Sequence, residues 1–494
     1  MGAAYTDTPN FIGVLILLCI PLLICGVIQL LFAGLDYAVF HDGREAEFLI
    51  PGSLVCLLTA IPLKFSYPLI RQMNIHNRDA MLFVSLTWWL CSLETAIPIF
   101  LIADISYTDA VFEAASALTT TGATVMTNLD SRAPTLLMYR QFLQWLGGLG
   151  VVIFVVAVLP ALNIGGLRVF KAETPGPMKN EKLTPRITQS ARALWYVYGW
   201  LTFGCAMAYW AAGMSFFDAF AHSFSTVSTG GFSTHDASMG YFNSPLIELV
   251  SDLFMVLGAT SFGLHYRFLY GRKLGIYFHD EETHVFLMLI LAFAVMVTVT
   301  LVTQGGTEGK SLLATFSTAL FHVISFMTST GFGAGNYTEW PMAAVFLLLI
   351  AAYLGGCSGS TAGGNKIVRN IIGFRVYLVQ LKKLVHPYGV FAIKYNGTVI
   401  TPDIRDATMG FLVLSAITSL VLSLMLMATG LDLFSAFTAV AACLNVLGPA
   451  FGELGSNFIP VSDTGTWILT FTMLLGRLEF FTMLALLHPS FWRT

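Results

Sequence analysis

The sequence predicts an all-α membrane protein that crosses the bilayer many times. Of its 494 residues, 56% are hydrophobic and only 11% charged. Apolar runs repeatedly reach the roughly 20 residues needed to span a hydrocarbon core. Between them stand shorter apolar stretches that end in small hydroxyl residues and glycine, too short to span and suited to re-entrant helices.

The first ten residues, MGAAYTDTPN, lack a basic leader, and the apolar run at about 11–33 is too long for a signal-peptide core, so it reads as a retained helix. MGAAYT also fits the acylation pattern at Gly2, but a lipid adds little to a chain that already spans many times. Further runs lie at about 46–63, 80–103, 136–162, 193–213, 246–270, 284–303, 341–376, 407–429 and 464–487, which makes ten crossings. The net charge of −3 says less than the placement of the charges. Connections 64–79, 163–192, 267–283, 366–406 and the C-terminal tail hold 20 of the 25 Lys and Arg residues. The opposite side holds Arg44, Arg132, Arg140 and Lys310, and Arg477 lies inside the last run. By the positive-inside rule the first set is cytoplasmic, with both termini inside. The outer side gathers acids, among them Asp109, Glu113, Asp130, Asp218, Asp236 and Asp432. They solvate loops and together would make a cation-concentrating mouth. Cys19, Cys25, Cys56, Cys91, Cys205, Cys357 and Cys443 lie in or beside apolar segments without a CxxC pair, which argues against a disulfide or zinc framework.

The short stretches align with one another. FEAASALTTTG ends at Gly122, FAHSFSTVSTG at Gly230 and FHVISFMTSTG at Gly331, each with a Phe ten residues before the glycine, and TAVAACLNVLGPAFG carries Gly448 at the same distance from its start. The repeating unit is helix, short re-entrant helix, glycine-containing loop, helix. One Ser/Thr-Gly pair could be an ordinary helix-ending turn. Four in register at membrane depth need another reason, because irregular backbone is tolerated there only when covered by protein or lining a watery path. Glycine lets the backbone turn carbonyl oxygens toward an axis, where rings of them can replace the hydration shell of a monovalent cation. The short helix ahead of each loop adds its negative C-terminal end.

The motifs TTTGATV, STVSTGGFSTH, TSTGFGAGN, LNVLGPAFG, QWLGGLGVVIF, YLGGCSGSTAGGNKIVR and LLGRLEFFTMLALLHPSFWR resemble the superfamily of Trk, Ktr and HKT potassium transporters, most closely its TrkH/TrkI branch, over nearly the whole chain. The resemblance implies a pseudo-fourfold potassium pore within one polypeptide, paired as a homodimer in the inner membrane and in contact with lipid. Its filter would be Thr120, Thr121 and Gly122; Ser228, Thr229 and Gly230; Ser329, Thr330 and Gly331; and Val446, Leu447 and Gly448. Four glycines favour K⁺ over Na⁺ as the transported ion. A cytoplasmic ring of TrkA-like nucleotide-binding subunits would be the regulatory partner. By this reading the chain divides into an N-terminal two-helix extension (1–79) and four pore repeats (80–192, 193–283, 284–406, 407–494).

LGGCSGSTAGGNK, residues 354–366, breaks what would otherwise be one long helix. Gly355, Gly356, Cys357, Ser358, Gly359, Ser360, Thr361, Ala362, Gly363 and Gly364 cannot hold a helix on propensity alone, so the stretch must be buried in protein or wet. In the family, the matching segment is a mobile loop that blocks the pore; the plain alternative is a packing kink. Arg477, near the middle of the last run, costs roughly 2.5–3.5 kcal/mol if left unpaired in lipid, and the resemblance makes it a positive barrier under the filter.

Other readings fit less of the chain. GCSG at 356–359 matches the GxSG pattern of rhomboid-type serine proteases, with His488 or His322 as conceivable base, but leaves the repeat without purpose. QGGTEGKS at 304–311 lacks the first glycine of a phosphate loop. No spacing suggests an ATP-driven pump, and neither an enzyme nor a nucleic-acid partner is expected, which leaves channel-like flux down a gradient or coupling to sodium or protons.

Overall fold

The computed structural model describes residues 10–70, 76–148, 150, 187–272, 275–307, 309, 311–478 and 480–492. Helices α1 (Phe11–Leu35) and α2 (Glu45–Ile70) pack as a hairpin. Glycine makes that approach possible: a Cβ on Gly52 would stand 2.9 Å from the Gly26 carbonyl oxygen, and one on Gly26 would stand 3.1 Å from that of Gly52. Small residues serve helix contacts in membranes in this way, by letting backbones meet.

The chain then runs four times through long helix, short helix, loop and helix. The first passage is α3 (Asn77–Ala103), α4 (Tyr107–Leu118) and α5 (Pro134–Gly148). The second is α6 (Ile187–Ala211), α7 (Phe216–Val227), α8 (Pro245–Ala259) and α9 (Phe262–Gly271), followed by the short α10 (Gly275–His279). The third is α11 (Glu281–Gln304), α12 (Leu312–Met327), α13 (Met342–Leu354) and α14 (Ile367–Val385). A two-stranded antiparallel hairpin, β1 (Lys394–Tyr395) and β2 (Thr398–Val399), pairs Tyr395 with Thr398. The fourth passage is α15 (Pro402–Met427), α16 (Leu433–Leu444), α17 (Asp463–Arg477) and α18 (Phe480–Leu487).

Among the described residues, five helices are long and apolar enough to cross a membrane singly: α1, α2, α3, α11 and α15. Other runs among the ten expected from hydropathy are broken helices. The run at 246–270 is a pair, α8 and α9, bent by 96°. The cause lies in the hydrogen bonds: the carbonyls of Gly258 and Ala259 accept from Thr361 N (3.3 Å) and Cys357 N (2.9 Å), which belong to the segment after α13. The run at 341–376 is interrupted over 355–366 as expected, and the run at 464–487 breaks after Arg477. The run at 136–162 lies within the described residues only as far as Gly148 and at Gly150, and the basic connection 163–192 falls mostly outside them. Three of the helices that follow a loop, α8, α13 and α17, thus stop after 13 to 15 residues.

Candidate functional site: a ring of four loops and the segment that closes it

Each short helix starts on a side-chain cap. Ser106, Ser215 and Ser311 accept from the amides of Asp109, Asp218 and Ala314, and Asp432 accepts from Phe434 and Ser435. Asp432 is thus bound up in capping, consistent with the preference for such residues at helix starts.

The four helix ends are equally alike. In α4 the amide of Thr120 bonds to Ala117 O (3.0 Å) and that of Thr121 to Ser116 O (2.9 Å), a Schellman ending. The 6→1 bond recurs as Gly230 N to Ser225 O (2.7 Å), Thr330 N to Ser325 O (2.8 Å) and Leu447 N to Ala442 O (2.8 Å). The left-handed residue of this motif is usually glycine, but here it is Thr120 (φ 60°), Thr229 (53°), Ser329 (54°) and Val446 (56°). Holding a side chain there costs about 1–2 kcal/mol per residue. The glycines come two positions later, so a simple glycine C-cap does not explain them.

This geometry corrects the alignment of the second loop. Positive φ recurs at Gly122 (82°), Gly231 (77°), Gly331 (79°) and Gly448 (97°), not at Gly230. The Phe used as an anchor is displaced: Phe220 stands one residue earlier, relative to its helix end, than Phe112 and Phe321. Gly230 instead matches Thr121, Thr330 and Leu447.

In this register the loops lock into a closed ring. A Cβ on Gly122 would lie 2.2 Å from Gly230 O, one on Gly231 1.8 Å from Thr330 O, one on Gly331 2.0 Å from Leu447 O, and one on Gly448 2.6 Å from Thr121 O. Every loop rests its glycine on the carbonyl of the next, and the fourth returns to the first. A cavity of about 360 Å³ opens directly on the four glycines, with Asp236, Asn336 and Asn457 in its wall.

Three of the helices that follow the loops approach the ring through glycine too. A Cβ on Gly147 would meet Leu118 O at 1.8 Å, on Gly258 Val227 O at 3.0 Å, and on Gly476 Leu444 O at 2.2 Å, each the last residue of a short helix.

A polar side chain five or six residues before each helix end holds the outgoing limb of its loop. Glu113 accepts from Val125 N (2.7 Å) and Met126 N (3.1 Å). The His222 ring bonds Ser233 Oγ (2.9 Å), His322 Nε2 accepts from Ala334 N (3.3 Å), and Thr438 Oγ1 accepts from Phe451 N (3.1 Å). Glu113 is therefore no mouth acid: it is fully buried and paired with Arg140 at 2.9 Å, whose guanidinium also lies 4.1 Å from the centre of the Phe232 ring. Gln144 ties the second loop to α5, donating to Gly230 O (2.6 Å) and accepting from Phe232 N (3.2 Å). Neither Gln144 nor these four limb-holding residues emerged from the sequence as site residues, although the pair after the motif's first position, Glu113 in FE and His322 in FH, was a visible signal. Nearer the surface, a hydrogen bond from His235 (2.5 Å) holds Asp130 below the usual carboxylate range.

The glycine-rich segment between α13 and α14 sits against the ring. Gly363 N donates to Ser329 Oγ (2.5 Å) and Gly364 N to Asn445 O (3.2 Å). Thr361 Oγ1 donates to Val227 O (3.1 Å) and Gly258 O (3.0 Å). A Cβ on Gly363 would stand 2.1 Å from Asn445 O, so the contact admits no side chain. Segments of the second, third and fourth passages are thereby touched. Arg477 supplies the first: it is the last residue of α17 rather than mid-helix, and its guanidinium donates to Gly147 O (2.5 Å), Gly148 O (2.8 Å), Thr361 O (3.2 Å) and Thr120 Oγ1 (3.4 Å). An inward side chain with such partners is not snorkelling. Ser358, the hypothetical protease nucleophile, has neither histidine beside it: His322 holds the third loop and His488 bonds Ser490.

Comparisons with known proteins agree with this architecture. The TrkH family, described as cation transport protein, matches residues 56–492. The chain is 46% identical to the Trk system potassium uptake protein TrkH of Halomonas elongata, over 85% of this chain and 87% of that protein. It is 40% identical to TrkH of Escherichia coli K12, over 95% and 98%, and 34% identical to TrkI of Halomonas elongata, over 94% of each. The crystal structure of the potassium transporter TrkH from Vibrio parahaemolyticus superposes with a TM-score of 0.86 at 39% identity, covering 98% of this chain and all of that one. With its motifs, its multi-helix fold and these relatives in agreement, the chain belongs to the TrkH family of membrane cation transporters, which are not enzymes.

Proposed function

We propose that this chain takes up potassium across the inner membrane through a pseudo-fourfold pore whose filter is the ring of four loops. The closed cycle of glycine-on-carbonyl contacts carries this reading, because it fixes four short-helix ends and four loops about one path. The residues facing that path are Thr120 to Gly122, Thr229 to Gly231, Ser329 to Gly331 and Val446 to Gly448, with Ser228 at the cap of its helix. The inside-negative potential drives entry with about 2.3 kcal/mol per charge per 100 mV. Residues 355–364 and Arg477 form the gate: together they touch segments of all four passages. The 1–79 extension and the repeats 80–192, 193–283, 284–406 and 407–494 are the functional units. Both termini lie in the cytoplasm, the chain pairs as a homodimer, and a TrkA-like ring on the basic side binds the regulatory nucleotide.

One observation favours a second reading, weak selectivity with sodium entering beside or with potassium. Three loops carry hydroxyl side chains at the left-handed position and the fourth carries Val446. Rubidium uptake into proteoliposomes containing the purified chain, measured against graded sodium, separates the two. Uptake unaffected by excess sodium supports potassium selectivity, matched sodium uptake supports the second reading, and no cation uptake under any condition rejects the pore.

A further inference from the structure

Sequence HDEETH, residues 279–284, places three consecutive acids on the side otherwise rich in Lys and Arg. Each has different work. Asp280 caps α11 through Thr283 N (2.9 Å) and accepts from Asn396 Nδ2 (3.1 Å). Glu281 pairs with Arg375 of α14 and accepts from Asn396 N (3.1 Å), so the turn of the β1–β2 hairpin is seated on the start of α11. Glu282 points the other way. It is buried, and a single oxygen, Oε1, accepts from Ser358 N (2.7 Å) and Val368 N (3.0 Å). Its second oxygen accepts from Tyr395 OH in the hairpin (3.3 Å).

The two amides bracket the stretch that reaches the ring through Thr361, Gly363 and Gly364. One carboxylate oxygen therefore clasps both ends of that stretch, next to the backbone bond from Ile367 N to Gly356 O (3.0 Å) that closes its base. Two amide hydrogen bonds to one oxygen here hold a glycine-rich segment with little propensity to order itself. The other oxygen faces Tyr395, the buried residue by which the β1–β2 hairpin is anchored in the core. We propose that Glu282 is the positioning residue that latches the 355–366 segment against the ring, and that movement of the β1–β2 hairpin releases the latch through Tyr395. The inference rests on the reading of that segment as the gate. It adds where the closed state is held and by what element it is opened.

The test uses the full chain in proteoliposomes without any partner, with two readouts. One is rubidium flux. The other is the rate at which a thiol reagent labels Cys357, 0% exposed in the closed arrangement, after the other cysteines have been replaced. Glu282→Ala should raise both by about tenfold, the net loss of roughly one hydrogen bond from the closed state. Glu282→Gln keeps an acceptor oxygen for the two amides and should return labelling most of the way to the parent, a rescue that a general packing role would not require. Tyr395→Phe should raise flux and labelling by a smaller factor. Deletion of residues 357–363 is the reference. If the deletion raises flux while Glu282→Ala matches the parent in both readouts, the latch is wrong and the gate stands. If the deletion itself leaves flux unchanged, the gate reading fails first. Should Glu282→Ala not reconstitute, Tyr395→Phe decides, and parent-like flux and labelling there overturn the proposal.

Discussion

Arg477→Ala probes the proposed gate most directly. The guanidinium lies between the ring and the closing segment, with donors committed to Gly147 O, Gly148 O, Thr361 O and Thr120 Oγ1. A monovalent cation passing about 8 Å away, at an effective dielectric constant of about 20, meets about 2 kcal/mol of repulsion. Removing that barrier corresponds to about thirtyfold in rate. Loss of the bond to Thr361 O loosens the closing segment and acts in the same direction. Partner-free rubidium uptake should therefore rise on the order of ten- to a hundredfold, with the K⁺ over Na⁺ preference largely kept because the ring glycines are untouched. Arg477→Lys restores the charge but not a planar fork able to reach acceptors on three chain segments, so its flux should fall between parent and alanine variant. A monodisperse alanine variant with parental or abolished flux would refute the barrier and leave Arg477 a structural brace.

Other perturbations test the ring. Gly231→Ala, which drives a Cβ to 1.8 Å from the backbone oxygen of Thr330, should damage flux more than Gly230→Ala, whose Cβ meets a side chain, the amide of Gln144, at 2.6 Å; equal effects would restore the sequence alignment. Gly122→Ser should lower rubidium flux and raise relative sodium permeability, and unchanged flux ratios in folded protein would remove the first loop from the filter. Deleting 357–363 should raise basal flux, to be compared with the parent at equal reconstitution density. Glu113→Ala should destabilise the protein by about 3–5 kcal/mol, since it strands a buried Arg140, and the double variant with Arg140→Ala should lose less than the sum of the two; thermal unfolding in detergent provides the comparison, and strict additivity would contradict the pairing.

The repeat was legible because membrane depth leaves few reasons for hydroxyl and glycine residues, and four copies exclude chance. Its register was not. A phenylalanine ten residues upstream reports a packing position on a helix, whereas the position of the left-handed glycine is set by where that helix ends, and α7 ends one residue differently with respect to its phenylalanine. Glu113 was misread for a related reason: an acid near a loop looks solvated until Arg140, 27 positions away, is placed against it. The breaks after Ala259 and Arg477 were invisible to hydropathy. Apolar composition records that a segment is buried, and nothing in it says that the Gly258 and Ala259 carbonyls will be taken by another segment. The glycine-rich interruption at 355–366 was legible because propensity alone forbids a helix there.

The ring's construction from one continuous chain has a genetic consequence. In a channel assembled from four identical subunits, any substitution enters the conduction path four times, and most such changes are all-or-nothing. Here each quadrant is separately encoded, so Val446 can replace the hydroxyl residue of the other loops in a single quarter while Thr120, Thr229 and Ser329 persist. If the ring is the filter proposed above, ion preference can drift by quarter steps, through intermediates that each keep three unaltered neighbours.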